Sequence, residues 1–448
     1  MSRLRKLFLP FAGACLLVST VASAQGQSSS SSTDSTAMNA RVQQLEKELA
    51  DLKSEIASMK SSGATAPASA TAAVPASNIL PASATATAST PDATKPPSLG
   101  SILGPTTLSG FVDVYYGQNF NNPDSRQNNL MYFNAATQQF NINMLELVID
   151  RPPDAAASRL GYHIALGYGQ AMNAIYGAST VGTTSADQYL KEYYFSYLAP
   201  VAKGLQIDVG KFVTPAGAEV IETKDNWNYT RSILFSYAIP YFHFGMRAKY
   251  AFNSKYSLTG YFVNGWNDVI AINDGKTGGL SFAWTPNTKW SVTQNYLVGP
   301  NEPNNTTNIR QLFDTVVGYN ATKKLSLMAN YDYARGDKLQ NVVPVVWWTG
   351  IAGYVKYQFN DKYAVATRYE YYDDKYNYTG IGAPGHVQEV TGTFEHPVAT
   401  HLLTRLEFRQ DMANNPIFLK GSSKMVDSQS TLTAGMVYIF DSKEGSGK

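Results

Sequence analysis

The stretch "FHFGMRAKYAFNSKYSLTGYF" (Phe242–Phe262) decides how the chain is read. In its first half Phe242, Phe244, Met246, Ala248, Tyr250 and Phe252 share one face of an extended backbone, and His243, Arg247 and Lys249 share the other. Period two with so clean a split means a β-strand, apolar on one face and polar on the other. The middle, Phe-Asn-Ser-Lys-Tyr, predicts a tight hairpin turn, since Asn tolerates the left-handed backbone such turns need. The pattern returns as Phe359-Asn360-Asp361-Lys362-Tyr363, with looser versions in "TPNTKW" (Thr285–Trp290) and "YNATKKL" (Tyr319–Leu325).

The alternation fills Leu108 to Phe440. In "HLLTRLEFRQ", Leu402, Thr404, Leu406 and Phe408 oppose Arg405, Glu407 and Arg409; in "TLTAGMVYIF", Leu432, Ala434, Met436, Tyr438 and Phe440 oppose Thr431, Thr433 and Gly435. The connections between strands sort by length. Short ones are expected at 152–159, 199–204, 253–255, 287–288, 320–323, 360–361 and 397–400, and long Gly/Asn-rich ones near 119–138, 170–186, 214–241, 265–277, 300–308, 336–346, 374–387 and 412–429. Eight long and seven short connections join sixteen antiparallel strands, with both ends of this region on the short-turn side. A soluble sandwich has no reason to sort its loops so, whereas a transmembrane β-barrel has short periplasmic turns and long extracellular loops. Lipid also forbids open sheet edges, so the sheet must close. The rings flanking the short turns then form an aromatic belt at the headgroup boundary.

Ahead of the barrel lie four further segments. Residues 1–24 have a basic start (Arg3, Arg5, Lys6), an apolar run from Leu7 to Val18 and Ala22-Ser23-Ala24, which together predict a secretory signal cleaved after Ala24. The single cysteine, Cys15, lies inside that run, so the mature chain is expected to hold no thiol. Residues 25–37 are Ser/Gln/Thr-rich and expected to be disordered. From Met38 a heptad seam runs through Val42, Leu45, Leu49, Leu52, Ile56 and Met59, with opposite charges at Arg41/Glu46, Glu48/Lys53 and Glu55/Lys60, so 38–60 predicts a coiled coil, dimeric or trimeric. Residues 61–105 form an Ala/Ser/Thr/Pro-rich linker, and 441–448 a periplasmic tail. After the apolar run of the signal no apolar stretch reaches the roughly 20 residues a membrane-spanning helix needs.

Net charge is +2 without a basic stripe, which gives no footprint for nucleic acid. The five histidines, His163, His243, His386, His396 and His401, fall in no nucleophile-elbow or HExxH pattern, so neither an enzyme nor a metal or organic cofactor is expected.

On "TLSGFVDVYYGQNF" (Thr107–Phe120), "LQIDVGKFVTPAG" (Leu205–Gly217), "YFVNGWND" (Tyr261–Asp268) and the aromatic-ended "MVYIF", the region from 106 to 440 resembles a Gram-negative outer-membrane porin, and more narrowly the beta-barrel porin-2 (OmpL-like) family. The resemblance implies a barrel with a pore. The segments ahead of it resemble the periplasmic extension of some sugar-specific porins, and analogy with known porins adds a homotrimer.

Alternation places Asp113, Glu146, His163, Glu192, Asp208, Arg247, Lys249, Asp314, Asp332, Lys356, Arg368, Glu370, Glu389, Glu395, Arg405, Glu407 and Arg409 on the lumen side. The longest connection, 214–241, carries Glu219, Glu222, Lys224, Asp225, Trp227 and Arg231, and follows the fifth strand, where general porins fold a loop inward. Folded in, its acids would face a basic wall of Arg247, Lys249, Arg368, Arg405 and Arg409, and the field between them would screen solutes. The expected function is passive diffusion of small polar solutes or ions across the outer membrane. The rival reading is an anchor tethering the envelope to a cell-wall or periplasmic partner through the coiled coil.

Overall fold

The computed structural model describes Lys47 and residues 104–178, 185–336 and 345–442. The chain divides into two units, Met1–Ala68 and Ser69–Lys448; of the first only Lys47, a helical residue, is described. Apart from Lys47, the expected coiled coil therefore lies outside the described residues, as do the signal, all but the last two residues of the linker and most of the tail.

The second unit is a barrel. Its strands are β1 (Thr107–Asn119), β2 (Gln139–Arg151), β3 (Leu160–Tyr168), β4 (Leu190–Ala199), β5 (Leu205–Val213), β6 (Phe242–Ala251), β7 (Tyr256–Val263) and β8 (Thr277–Trp284). They continue with β9 (Trp290–Glu302), β10 (Asn305–Asn320), β11 (Leu325–Gly336), β12 (Val346–Asn360), β13 (Tyr363–Asp374), β14 (Gly385–Ala399) and β15 (Leu402–Ala413). A two-strand flap, β16 (Phe418–Lys420) and β17 (Lys424–Val426), precedes β18 (Ser428–Asp441). Each barrel strand pairs antiparallel with its sequence neighbour, and β1 closes on β18 with Val112 opposite Tyr438, so all sixteen are paired on both edges. No described helix is long and apolar enough to cross a membrane.

The two faces of the sheet separate by polarity. On β15 and β18 the side chains of Leu406, Phe408, Met436 and Tyr438 are exposed, while Arg405, Glu407, Arg409, Thr431 and Thr433 between them are buried. Apolar side chains turned outward and charged ones inward invert a soluble protein and suit a sheet bathed in hydrocarbon.

The repeated Asn motif has a different cause from the expected one. Neither Asn253, Asn287 nor Asn360 adopts a positive φ. Instead each side-chain oxygen accepts two backbone N–H groups across the turn: Asn253 from Lys255 (2.8 Å) and Tyr256 (3.1 Å), Asn287 from Lys289 and Trp290, Asn360 from Lys362 and Tyr363. Thr322 does the same for Lys324 and Leu325. These are side-chain mimics of a backbone turn, and they satisfy donors that no strand reaches. The flanking rings pair beside them, Trp290 on Tyr319 at 4.3 Å and Tyr363 on Phe394 at 5.8 Å.

Two other expectations shift. The long connection near 300–308 is a two-residue turn at 303–304, with Asn304 left-handed at φ 55°, because β9 and β10 run on as a hairpin. Phe242, read as outward with Met246, is buried and packs under the Lys211 ammonium at 4.3 Å.

The long connections turn inward. Leu130 and Phe133 from the first, Ala171, Met172 and Ile175 from helix α1 (Gln170–Gly177) in the second, and Ile233, Leu234, Phe235, Ala238 and Ile239 from the third join one apolar cluster with Phe111, Met144, Trp348 and Tyr372 of the wall. Gly169 makes the turn into α1 at φ 120°, where an added Cβ would meet the Asn143 carbonyl oxygen at 2.6 Å. Connections and inward-facing strand residues together supply the packed interior.

Candidate functional site

The connection 214–241 leaves β5, crosses the lumen and returns to β6, its ends joined by Thr214 N–H to Tyr241 O at 3.0 Å. Its backbone donors and carbonyls would be orphaned inside a barrel unless the wall supplied partners. The wall does. On β15, Glu407 accepts from Tyr229 N–H (2.5 Å), Thr230 N–H (2.9 Å) and the Thr230 hydroxyl (2.5 Å), and from Thr393 on β14 (2.6 Å). On β13, Glu370 accepts from Ile233 and Leu234 N–H at 2.6 and 3.0 Å, where the π-helical turn Leu234–Ala238 begins. Arg405 donates to the Thr223 (2.5 Å) and Asn226 (2.6 Å) carbonyls, and Arg409 to that of Arg231 (2.7 Å). Trp348 Nε1 on β12 closes the turn by donating to Ala238 O at 3.0 Å.

Behind these contacts runs a buried charge ladder. Arg368 Nε meets Glu389 at 2.5 Å, Arg409 meets Glu389 at 3.4 Å and Asp411 at 2.8 Å, and Arg405 meets Glu395 at 2.6 Å, with Lys356 on the same carboxylate at 2.9 Å. Arg368 and Arg409 are 1% exposed, so their charge is spent on the ladder and the loop rather than on solvent.

Of the expected constriction residues, Glu219 reaches the basic wall, pairing with Arg368 at 2.6 Å. Glu222 crosses to the opposite wall and pairs with Lys191 on β4. Asp225 pairs with its neighbour Lys224 at 2.5 Å and keeps 41% of its side chain exposed. Arg231 points into the loop itself, donating to the Tyr229 (2.9 Å) and Ile221 carbonyls and lying over the Phe133 ring. Burial pulls its guanidinium below the ordinary value while Asp113 and Glu219 push it back. Burial with Asp113 beside it raises the Tyr229 phenol well above its ordinary value, so Tyr229 stays a donor to Asp113 at 2.6 Å.

Arg247 and Lys249 are not part of this wall. They stand on β6, where Arg247 pairs with Asp208 of β5 at 2.8 Å between the Tyr194 and Phe212 rings, and both side chains are half-buried. The expected single basic wall is thus two: Arg368, Arg405 and Arg409 hold the loop, and Arg247 and Lys249 line the wall away from it.

Alternation missed Lys191. A register shift between Ala165 and Leu166 lets Lys191 and Glu192 both turn inward, and Lys191 gathers Glu146, Glu192 and Glu222. A bulge leaves no mark in a period-two pattern. Among the described residues no group of three or more His, Cys, Asp or Glu side chains stands at metal-ligand spacing.

A closed, sixteen-stranded antiparallel sheet with an apolar exterior and an inward-folded loop defines an outer-membrane β-barrel of the porin kind. Residues 105–440 match the family described as "Putative beta-barrel porin-2, OmpL-like", and the chain belongs to that family. No curated protein matches the sequence. Among solved structures it is similar in fold to the anion-selective porin from Comamonas acidovorans, at 10% identity and TM-score 0.51, over 75% of this chain and 99% of that one. OmpT, an outer membrane protein of Vibrio cholerae, aligns at 13% identity and TM-score 0.48, over 75% and 97%. OmpF of Salmonella typhi, solved with daunomycin, aligns at 12% identity and TM-score 0.47, over 75% and 97%.

Proposed function

We propose that this outer-membrane protein passes small hydrophilic solutes and ions by diffusion through a water-filled barrel narrowed by the connection 214–241. The observation that carries this reading is the clamp: a loop fixed at Glu407, Glu370, Arg405 and Arg409 is a permanent constriction, not a swinging lid. Sixteen strands leave more room than side chains of the wall alone can fill. Charges left partly exposed to passing solute include Asp225 and Lys224 on the loop and Arg247 and Lys249 on β6. The reading includes a homotrimer in the lipid bilayer, secretion by residues 1–24 and a periplasmic coiled coil at 38–60 joined by the linker 61–105. The test is planar-bilayer recording of the purified mature chain. Stable conductance steps are expected, with Lys249→Gln shifting the reversal potential in a salt gradient toward cation preference. A protein that inserts but gives no steps would refute the pore and leave the anchor reading standing.

A further inference from the structure

The lysine of the repeated turn motif serves neither the turn nor the sheet. The asparagine closes the turn through its amide oxygen, and that bond needs no cation beside it. Along the arc from β4 to β13, successive short turns carry Lys203, Lys255, Lys289, Lys323, Lys324 and Lys362, all exposed, against a single acid, Asp361. The long connections hold the two signs in near balance, so the cations collect at one end of the barrel, an asymmetry that the net charge of +2 conceals. The lysines that form ion pairs, Lys191, Lys224 and Lys356, stand in the lumen. Those of the short turns form none among the described residues. Lys203 and Lys324 each give one hydrogen to a carbonyl beside the next turn, Phe252 O at 2.7 Å and Phe359 O at 3.0 Å. The ammonium groups of Lys255, Lys289, Lys323 and Lys362 hold no other described residue.

One unpaired surface lysine is ordinary, but a row of them is not. Successive short turns are two strands apart, about 10 Å along the rim, which is close to the Debye length in physiological salt, so neighbouring charges feel one another. Their position identifies the countercharge. Lys255, Lys289 and Lys362 immediately precede Tyr256, Trp290 and Tyr363, rings exposed on the outward face together with Trp284 and Phe359. Such rings rest at the headgroup boundary, and the flexible lysine stem lets the ammonium reach the phosphates beside them. An ammonium only donates and an ionised phosphate oxygen only accepts, so the two match in charge and in hydrogen bonding. We propose that these lysines form a docking rim for anionic phospholipid headgroups of the periplasmic leaflet. A zwitterionic headgroup brings its own cation and neutralises nothing, so the rim selects acidic lipid and with it fixes the depth of the barrel in that leaflet. This rests on the reading of the short turns as periplasmic.

The test reads lipid selectivity where the lysines stand. Trp347 shares the outward face of β12 with Ile351 at its long-loop end, and Trp227, Trp266 and Trp348 lie inside the barrel. In Trp347→Phe the lipid-facing tryptophans are therefore Trp284 and Trp290 of the rim. The full mature chain with that change is refolded into phosphatidylcholine vesicles containing a minority of phosphatidylglycerol, with the acyl chains of one lipid or the other brominated to quench tryptophan. A lysine at an anionic surface is worth about fivefold in association, so the rim should prefer phosphatidylglycerol by at least about fivefold at low salt. The preference should fall towards one in about 1 M NaCl, where screening shortens to about 3 Å. Lys255→Gln, Lys289→Gln, Lys323→Gln and Lys362→Gln together should leave folding intact and abolish the preference. Should that variant not fold, Lys289→Gln, beside Trp290, takes its place and should lower it. Equal quenching by the two lipids at low salt, which a rim serving a soluble polyanion would give, overturns the proposal, as does a preference that the glutamines leave unchanged. The readout needs no conductance, so a barrel that inserts without conducting tests it equally. In intact cells Lys255→Cys should resist a polymer-linked maleimide too large to enter a porin; labelling would place the rim outside and overturn the assignment to the periplasmic leaflet.

Discussion

Replacing Glu407 with alanine should release the middle of the inward loop without dismantling the barrel. Glu407 is 1% exposed and takes two backbone N–H groups and two hydroxyls, those of Thr230 and Thr393. Alanine leaves Tyr229 and Thr230 N–H buried without an acceptor, and each such group costs about 1–3 kcal/mol, so the local loss is about 2–6 kcal/mol. Strand pairing of β15 with β14 and β18 is untouched, and Glu370 still holds Ile233 and Leu234, so the loss falls on residues around 226–232. Arg231, 2% exposed in the parent, then becomes reachable by trypsin. Cleavage of a transiently opened segment follows its open population, and even 2 kcal/mol is roughly a thirtyfold change. Limited trypsinolysis of the refolded protein should therefore cut E407A after Arg231 at least thirtyfold faster than the parent, with Glu407→Gln in between because one acceptor oxygen survives. In bilayers the same variant should conduct more noisily. Cleavage at the parental rate, with unchanged current, would refute the clamp.

Further consequences can be checked separately. Arg368→Met removes the guanidinium that Glu219 and Glu389 share inside the wall; breaking a buried pair from one side costs about 3–5 kcal/mol, so the barrel should lose its heat-resistant band on gels at a lower temperature, and an unchanged band would contradict the ladder's role. Leu406→Arg on the outward face should cost about 2–4 kcal/mol near the bilayer midplane, read as reduced folding yield into vesicles, and a neutral outcome would mean that this face does not meet lipid. Asn253→Gly separates the two accounts of the short turns. If the side chain accepts the Lys255 and Tyr256 N–H groups, glycine should destabilise by about 1 kcal/mol, much as alanine does; a harmless glycine would return the explanation to backbone conformation.

How much of this was legible in the sequence divides along a physical line. Strand faces are a local property, so Leu406 and Phe408 against Arg405 and Glu407 could be read directly, and the barrel with them. Loop length located 214–241 as the candidate constriction. Partners across the lumen are not local: nothing in the sequence says that Glu222 crosses to Lys191 while Glu219 goes to Arg368, or that Arg231 turns back into its own loop. The bulge that brings Lys191 inward shifts the phase by a single residue, which composition does not betray, and the hairpin at 303–304 runs through a Pro/Asn-rich stretch whose composition reads as loop. The Asn turns were placed correctly for an incomplete reason, since turn propensity records that Asn is favoured and not whether its backbone or its amide does the work.

The constriction exists only if residues 214–241 lie inside the lumen. With its one cysteine, Cys15, inside the expected signal, the mature chain offers a clean background for engineered thiols. Asn228 Nδ2 donates to Thr393 Oγ1 at 2.8 Å, so the side chains of the loop tip and the β14 wall meet inside the barrel. In Asn228→Cys/Thr393→Cys, mild oxidation should form an intramolecular disulfide in nearly every refolded molecule and leave the conductance as it was. Two thiols that stay free and react with a membrane-impermeant maleimide from the extracellular side would put the loop outside the lumen and contradict the constriction.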